Sequence, residues 1–148
     1  MTILRIYGFI LMAILAVDFG KRRIGLAIAE SANSAAYPLG TFERVSMERD
    51  LSHIAARIES RGVTQIVVGL PLNMDGTEGP SARAARSFGA KVGEHLRLPV
   101  DYADERLTSF EARERLAGQT RLRRKRGAVD AVAATIILEE WLAAHRDS

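Results

Sequence analysis

The chain contains no cysteine. That absence excludes disulfide scaffolds, cysteine-ligated zinc or iron–sulfur centres, and thiol catalysis. Proline is scarce at 4 residues, glycine stands at 12, and no low-complexity tract occurs, so neither a disordered chain nor a fibrous repeat fits. Long hydrophobic runs are missing as well. The largely apolar stretch from Ile6 to Val17 is stopped by Asp18, well short of the roughly 20 apolar residues a membrane span needs. Its single leading cation, Arg5, and the lack of a convincing cleavage site argue against a signal peptide, so a cytoplasmic protein is expected. His53, His95 and His145 show no ligand spacing and read as surface residues. Oxygen and nitrogen chemistry is what remains.

What is present suffices for one domain: 148 residues, of which 47% are hydrophobic, make a core of ordinary size. Residues 1–11 read as an N-terminal extension, consistent with a start site placed too far upstream, and residues 12–148 as the domain itself. The formal charge of +3 is small, but its distribution is uneven. Arg121, Arg123, Arg124, Lys125 and Arg126 put five cations in six positions, and without them the chain falls from +3 to −2. Arginine outnumbers lysine 18 to 3, a bias that suits planar phosphate contacts and that a GC-rich genome also produces.

The apolar run Ile14–Val17 predicts a strand buried on both faces. In the next strand Ile24, Leu26 and Ile28 alternate with Gly25, Ala27 and Ala29, giving one bulky face and one bare face against which something packs closely. Tyr37–Phe42 continues the meander as a third strand. The period then changes to 3.6, and Leu51, Ile54, Ala55 and Ile58 mark a helix over 46–60 that stops at Gly62. A buried strand over 65–70 follows, then a Gly- and Pro-rich loop. Next come a helix capped by Ser81 with a small face of Ala82, Ala85 and Ala90, a strand over 99–103, a short helix over 109–116 and a long helix over 127–144. This order predicts an α/β three-layer fold with a mixed five-stranded sheet flanked by helices, and it fits a ribonuclease H-like topology.

Three carboxylates stand out. Asp18 ends the first core strand, where open α/β sheets place their ligands; taken alone, it equally reads as a cap on the turn at Gly20. Glu105 follows Asp104 at the end of the fifth core strand, and alternation lets only one of the two face Asp18. Read alone, Glu105 is an exposed acid paired with Arg106. Asp130 shares a helical stripe with Ala134, Ile137 or Leu138, and Trp141, an unusual place for an acid; the plainer reading is a first-turn acid that favours the helix N-terminus. If the three converge, they form an oxygen-only site suited to Mg²⁺ or Mn²⁺. Two such ions about 4 Å apart hydrolyse phosphodiesters by in-line displacement. The basic run 121–126, just before the Asp130 helix, would hold a nucleic-acid backbone nearby.

Four segments carry a resemblance: Asp18-Phe19-Gly20-Lys21-Arg22-Arg23-Ile24-Gly25-Leu26-Ala27, Gly69-Leu70-Pro71-Leu72-Asn73-Met74-Asp75-Gly76, Asp104-Glu105-Arg106-Leu107-Thr108-Ser109 and Val129-Asp130-Ala131-Val132-Ala133-Ala134. In order and spacing they resemble the YqgF family of bacterial proteins, over about residues 13–142. The family is described as pre-16S rRNA nucleases and formerly as Holliday junction resolvase-like. The resemblance implies a ribonuclease H-like nuclease domain that trims the 5′ end of precursor 16S rRNA in ribosome biogenesis. It places the acidic positions on Asp18, Glu105 and Asp130, with Asp18 bridging two metal ions and the other two each completing one. Arg106 and Thr108 would orient the scissile strand, Lys21, Arg22 and Arg23 would contact phosphates, and Asn73 to Gly79 would form a lip facing the substrate. Better-known resolvases of the superfamily carry a further Asp about one helical turn beyond the last; here that position is Ala133. A weakly held second ion favours RNA over efficient junction cleavage. The alternatives are a junction resolvase on structured DNA, which needs a dimer to cut symmetrically, and a nucleic-acid-binding module that cuts nothing. A monomer or weak homodimer is expected.

Overall fold

A computed structural model of the chain describes residues 4–6, 9–106 and 128–146. Strands β1 (Leu4–Ile6) and β2 (Phe9–Leu11) pair with each other as an antiparallel ribbon separate from the main sheet. The main sheet has five strands: β3 (Ala13–Phe19), β4 (Arg23–Ala29), β5 (Tyr37–Glu43), β6 (Val63–Leu70) and β7 (Val100–Asp104), in the order β5-β4-β3-β6-β7. The first three form an antiparallel meander, whereas β6 and β7 run parallel to β3. The mixed sheet expected from the sequence is therefore present.

Among the described residues, three helices cover the sheet: α1 (Met47–Ile58), α2 (Pro80–Leu96) and α3 (Ala128–His145). Alternation along β3 sorts the core into two. Leu15 and Val17, with Ile24, Leu26, Ile66 and Val68, pack under α1 and α2 through Leu51, Ile54, Ala82, Ala85, Phe88 and Val92. Ile14 and Ala16, with Ala27, Ala29 and Val67, meet Ala134, Ile137, Leu138 and Leu142 of α3. The bare face of β4 is thus the bed of α3, as its small residues require. α1 begins at Ser46, whose side chain accepts the Arg49 N–H, and the buried Asp50 carboxylate accepts the Val45 N–H at 3.0 Å.

α2 departs from the sequence reading at two points. Its N-cap is Gly79 and Pro80 fills the first turn, so Ser81 lies inside the helix; proline's fixed φ and missing N–H suit that position. Its buried face continues from Ala85 to Phe88, Gly89 and Val92, while Ala90 points to solvent. The expected helix over 109–116 lies outside the described residues. Among the described residues, no helix is long and apolar enough to cross a membrane.

Candidate active site

Because β3, β6 and β7 are parallel, their carboxyl ends lie along one edge of the sheet. Asp18 sits at that end of β3, on the face shared with Ile14 and Ala16 and so toward α3. Val17 pairs with Val68, which leaves Asp18 beside Gly69 of β6. Glu105 follows the last residue of β7, and its N–H donates to the Leu70 carbonyl at 3.0 Å, carrying the parallel ladder one bond past the Leu70–Asp104 pair.

Gly69 makes room for the Glu105 side chain. A Cβ there would lie 2.7 Å from Cδ and Oε1 of Glu105 and 2.6 Å from Cδ1 of Ile137. The Glu105 side chain therefore lies directly on the glycine, enclosed by α3, and is only 7% exposed. Its carboxyl is pushed up to about 9, first by burial and then by the charge of Asp18 and a hydrogen bond to it, with Asp104 adding repulsion. The neutral Glu105 carboxyl donates to the Asp18 carboxylate, because two charges cannot share so dry a space. Among the described residues, no buried side-chain nitrogen or oxygen lacks a partner.

The alternation at residues 104 and 105 resolves clearly. Asp104 turns outward and binds Arg106 through Nε and Nη2, the shortest contact being 2.6 Å, and this pairing holds the Asp104 carboxyl below its ordinary value. The acid that pairs with Arg106 is thus Asp104, and Glu105 is the one that meets Asp18.

Asp130 stands in the first turn of α3; its side chain lies outside the described part. The helix places its backbone all the same. Trp141 Nε1 donates to Asp101 at the start of β7, whereas Ile137 lies over Gly69 near the end of β6. α3 therefore runs against the parallel strands, and Asp130, seven residues before Ile137, lies about 10 Å farther along the axis toward the carboxyl edge. Among the described residues, no group of three metal-ligating side chains forms; Asp18 and Glu105 are the pair the structure brings together.

The expected nucleic-acid contacts divide. Lys21 and Arg22 are exposed in the tight turn after β3, where the Gly20 N–H donates to the Arg23 carbonyl, and Arg23 is half-buried. Asn73 and Arg106 are spent on the chain itself. The Asn73 amide donates to Thr77 Oγ1, Asp75 accepts from Thr77, and Arg106 Nη1 donates to the Met74 carbonyl at 3.0 Å. The lip over 73–79 is thus cross-linked internally and clamped to the end of β7. Thr108, Arg121, Arg123, Arg124, Lys125 and Arg126 lie outside the described residues.

Sequence reasoning missed Gly69 and the clamp. A glycine near the end of an otherwise apolar strand was the available signal for the first, since it marks a close approach.

Residues 12–144 match the family model described as "RuvX: Holliday junction resolvase". A relative from Anaeromyxobacter sp. (strain K), named "Putative pre-16S rRNA nuclease", is 50% identical over 88% of this chain and 96% of its own. One of the same name from Crocosphaera subtropica is 42% identical over 90% of this chain and 94% of its own. Among solved structures, T. thermophilus RuvC in complex with Holliday junction substrate superimposes with a TM-score of 0.53 at 14% identity, covering 90% of this chain and 96% of that one. The fowlpox virus Holliday junction resolvase gives a TM-score of 0.53 at 12% identity, covering 90% and 99%. These likenesses identify the fold as ribonuclease H-like. With the matched family model and relatives this similar over nearly the whole domain, the chain belongs to the RuvX (YqgF) family.

Proposed function

We propose that this chain is a metal-dependent nuclease that hydrolyses phosphodiester bonds and matures the 5′ end of precursor 16S rRNA in the cytoplasm. The observation that carries the reading is the buried Glu105 carboxyl bonded to Asp18 on the face of Gly69 and pushed up to about 9 by burial and by Asp18 and Asp104. Such a pair is costly for the fold and useful to a cation-binding site. All its donors are oxygens, so it fits Mg²⁺ or Mn²⁺. Asp18 and Glu105 would hold the ion, and Asp130 would complete the set from α3. When bound, the metal supplies charge neutralisation at the scissile phosphate and a more acidic water.

The chain's own residues do the rest. Gly69 lets Glu105 lie close to the sheet, and Ile137 keeps bulk water from its inner side. Asp18 accepts a hydrogen bond from the neutral Glu105 carboxyl in the resting pair, and Glu105 would hold a cation only in its deprotonated form. Lys21 and Arg22 extend from the turn that follows Asp18, where phosphates flanking the cut would pass. The basic run at 121–126 would hold the RNA backbone before the α3 N-terminus. Arg106 acts on the substrate through the lip it clamps.

The relatives' names favour rRNA, while the family description and the two solved structures name resolvases, so one experiment carries both substrates. Purified protein with Mn²⁺ or Mg²⁺ is given precursor 16S rRNA and a four-way DNA junction, alongside Asp18→Asn. Trimming of the precursor at its 5′ end, lost in the variant, is expected. Cleavage of the junction alone would establish the resolvase reading instead. Intact rRNA maturation in cells carrying Asp18→Asn would leave only a binding module.

A further inference from the structure

Across the strand from Asp18 the structure holds a feature that the acid pair does not use. Phe19, the next residue of β3, faces α1 and α2 and stacks on Phe88 with ring centroids 4.3 Å apart. The Arg44 guanidinium covers the other face of the Phe19 ring at 4.2 Å. Nη1 of Arg44 is fixed by two 3.0 Å hydrogen bonds, to the carbonyls of Gly20 and Lys21. Phe88, Phe19 and Arg44 thus form a three-layer stack whose outermost plane is an exposed, immobilised cation.

Two clefts adjoin this stack and share Phe19, Lys21 and Arg44 as walls. One, of about 570 Å³, also takes in Arg22 and the N-terminal end of α1; the other, of about 240 Å³, is floored by Pro80, Ser81 and Ala84 of α2. Glu43 and Asp50 also line the larger cleft, and the Asp50 carboxylate is engaged by the Val45 N–H.

We propose that the Arg44 stack and its two clefts are a subsite for single-stranded nucleic acid flanking the cut. One base lies on the outer face of the Arg44 guanidinium, and the adjoining phosphates meet Lys21 and Arg22. The occupant follows from the chemistry: a planar cation backed by aromatic rings, beside further cations, suits a base and its anionic backbone. Position supports it too. Asp18 and Phe19 are consecutive, about 3.8 Å apart at Cα, so a strand whose reacting phosphate lies on the Asp18 face crosses the end of β3 and meets the stack next. The proposal rests on the nuclease reading, and it adds a recognition site on the opposite face of the sheet.

The test is equilibrium binding of a fluorescent single-stranded RNA 12-mer to the full chain with Ca²⁺ in place of a catalytic ion. It is read by anisotropy, and by the quenching of 2-aminopurine placed at successive positions. Arg44→Ala should weaken binding about tenfold, since stacking is worth about that per base, and should abolish quenching at one position. Arg44→Lys keeps the charge but not the plane and should leave that position unquenched. Arg44 also anchors the turn after β3, so Ser81→Asp provides a variant with no such risk. An acid in the first turn of α2 favours the helix, so melting temperature should hold or rise while RNA binding weakens. Lys91→Ala, on the exposed side of α2, should bind within twofold of wild type.

Wild-type binding and quenching in Arg44→Ala and Ser81→Asp would overturn the subsite. Cleavage of precursor rRNA, measured separately, reports on the nuclease reading: a chain that cleaves but ignores both substitutions refutes this inference alone. A wild-type chain that binds no single strand refutes it as well.

Discussion

The neutral Glu105 carboxyl makes the metal-free fold pH-dependent in an unusual direction. In the unfolded chain it titrates at the ordinary 4.5, and in the fold it is held up to about 9. Below 4.5 both states carry the proton, and the group contributes nothing to stability. Between the two values the native state binds a proton that the unfolded state has lost, so stability falls as pH rises, by up to about 1.4 kcal/mol per unit. By pH 7 the accumulated penalty is about 3 kcal/mol. This figure depends only on the native value lying well above 7. Above the native value both states are ionised and the penalty stays at its maximum. Ordinary paired carboxylates act oppositely, stabilising the fold as pH rises through their range.

Glu105→Gln isolates the effect, because glutamine copies the shape of the neutral carboxyl and can donate to Asp18 but has no proton to lose. Urea unfolding in EDTA from pH 4.5 to 9 should give two curves that coincide at the acid end and diverge steadily, with the variant the more stable at pH 8. Mn²⁺ should reverse the order. It stabilises the wild type more at pH 8 than at pH 6, since fewer protons then need displacing, and it does little for the variant. Parallel curves in EDTA would refute the shared-proton description of the pair, and the cost ascribed to its burial with it.

Three further outcomes follow from the same geometry. Gly69→Ala drives a methyl into the Glu105 carboxyl and Ile137; urea unfolding should show a loss of about 1–3 kcal/mol, and displacement of Glu105 by about 1 Å should cost on the order of 100-fold in cleavage. Arg106→Gln releases the Met74 carbonyl and Asp104, both near the surface, so the melting temperature should barely move while amide exchange at Gly76 and Thr77 accelerates; unchanged exchange would mean the lip holds itself. Ala27→Leu overfills the bed of α3, and a loss of about 1–3 kcal/mol should come with reduced cleavage, because that helix carries Asp130.

Much of the fold was legible because its strands are extreme. Ala13–Val17 and Ile66–Leu70 are buried throughout and read as uninterrupted apolar runs, and β4 announces its two faces by alternating large and small residues. The start of α2 was misread because serine at a helix start is a strong signal, whereas here Pro80 fixes the entry and Gly79 needs no side-chain cap. Ala90 was misplaced for a related reason: alanine fits either side of a helix, and the large Phe88, buried to 1%, sets the face.

For the site, residue chemistry was legible and residue allegiance was not. Asp18 stands out because an acid at the end of a buried strand is expensive, whereas Glu105, after the half-buried β7, reads by itself as an exposed acid. Nothing in Asp104-Glu105-Arg106 says which acid the arginine takes, since that depends on the register of β7 against β6, which carries the ladder on to the Leu70 carbonyl. The same holds for Arg106 and Asn73. Their side chains offer hydrogen bonds to RNA or to a loop with equal ease, and the loop claims them because Met74 and Thr77 lie within reach before any substrate arrives. A cation bound to its own chain still serves recognition when the element it holds meets the substrate. Loop exchange after Arg106→Gln and RNA binding after Ser81→Asp therefore report on different surfaces, one at the lip beside Glu105 and one across the sheet at Phe19.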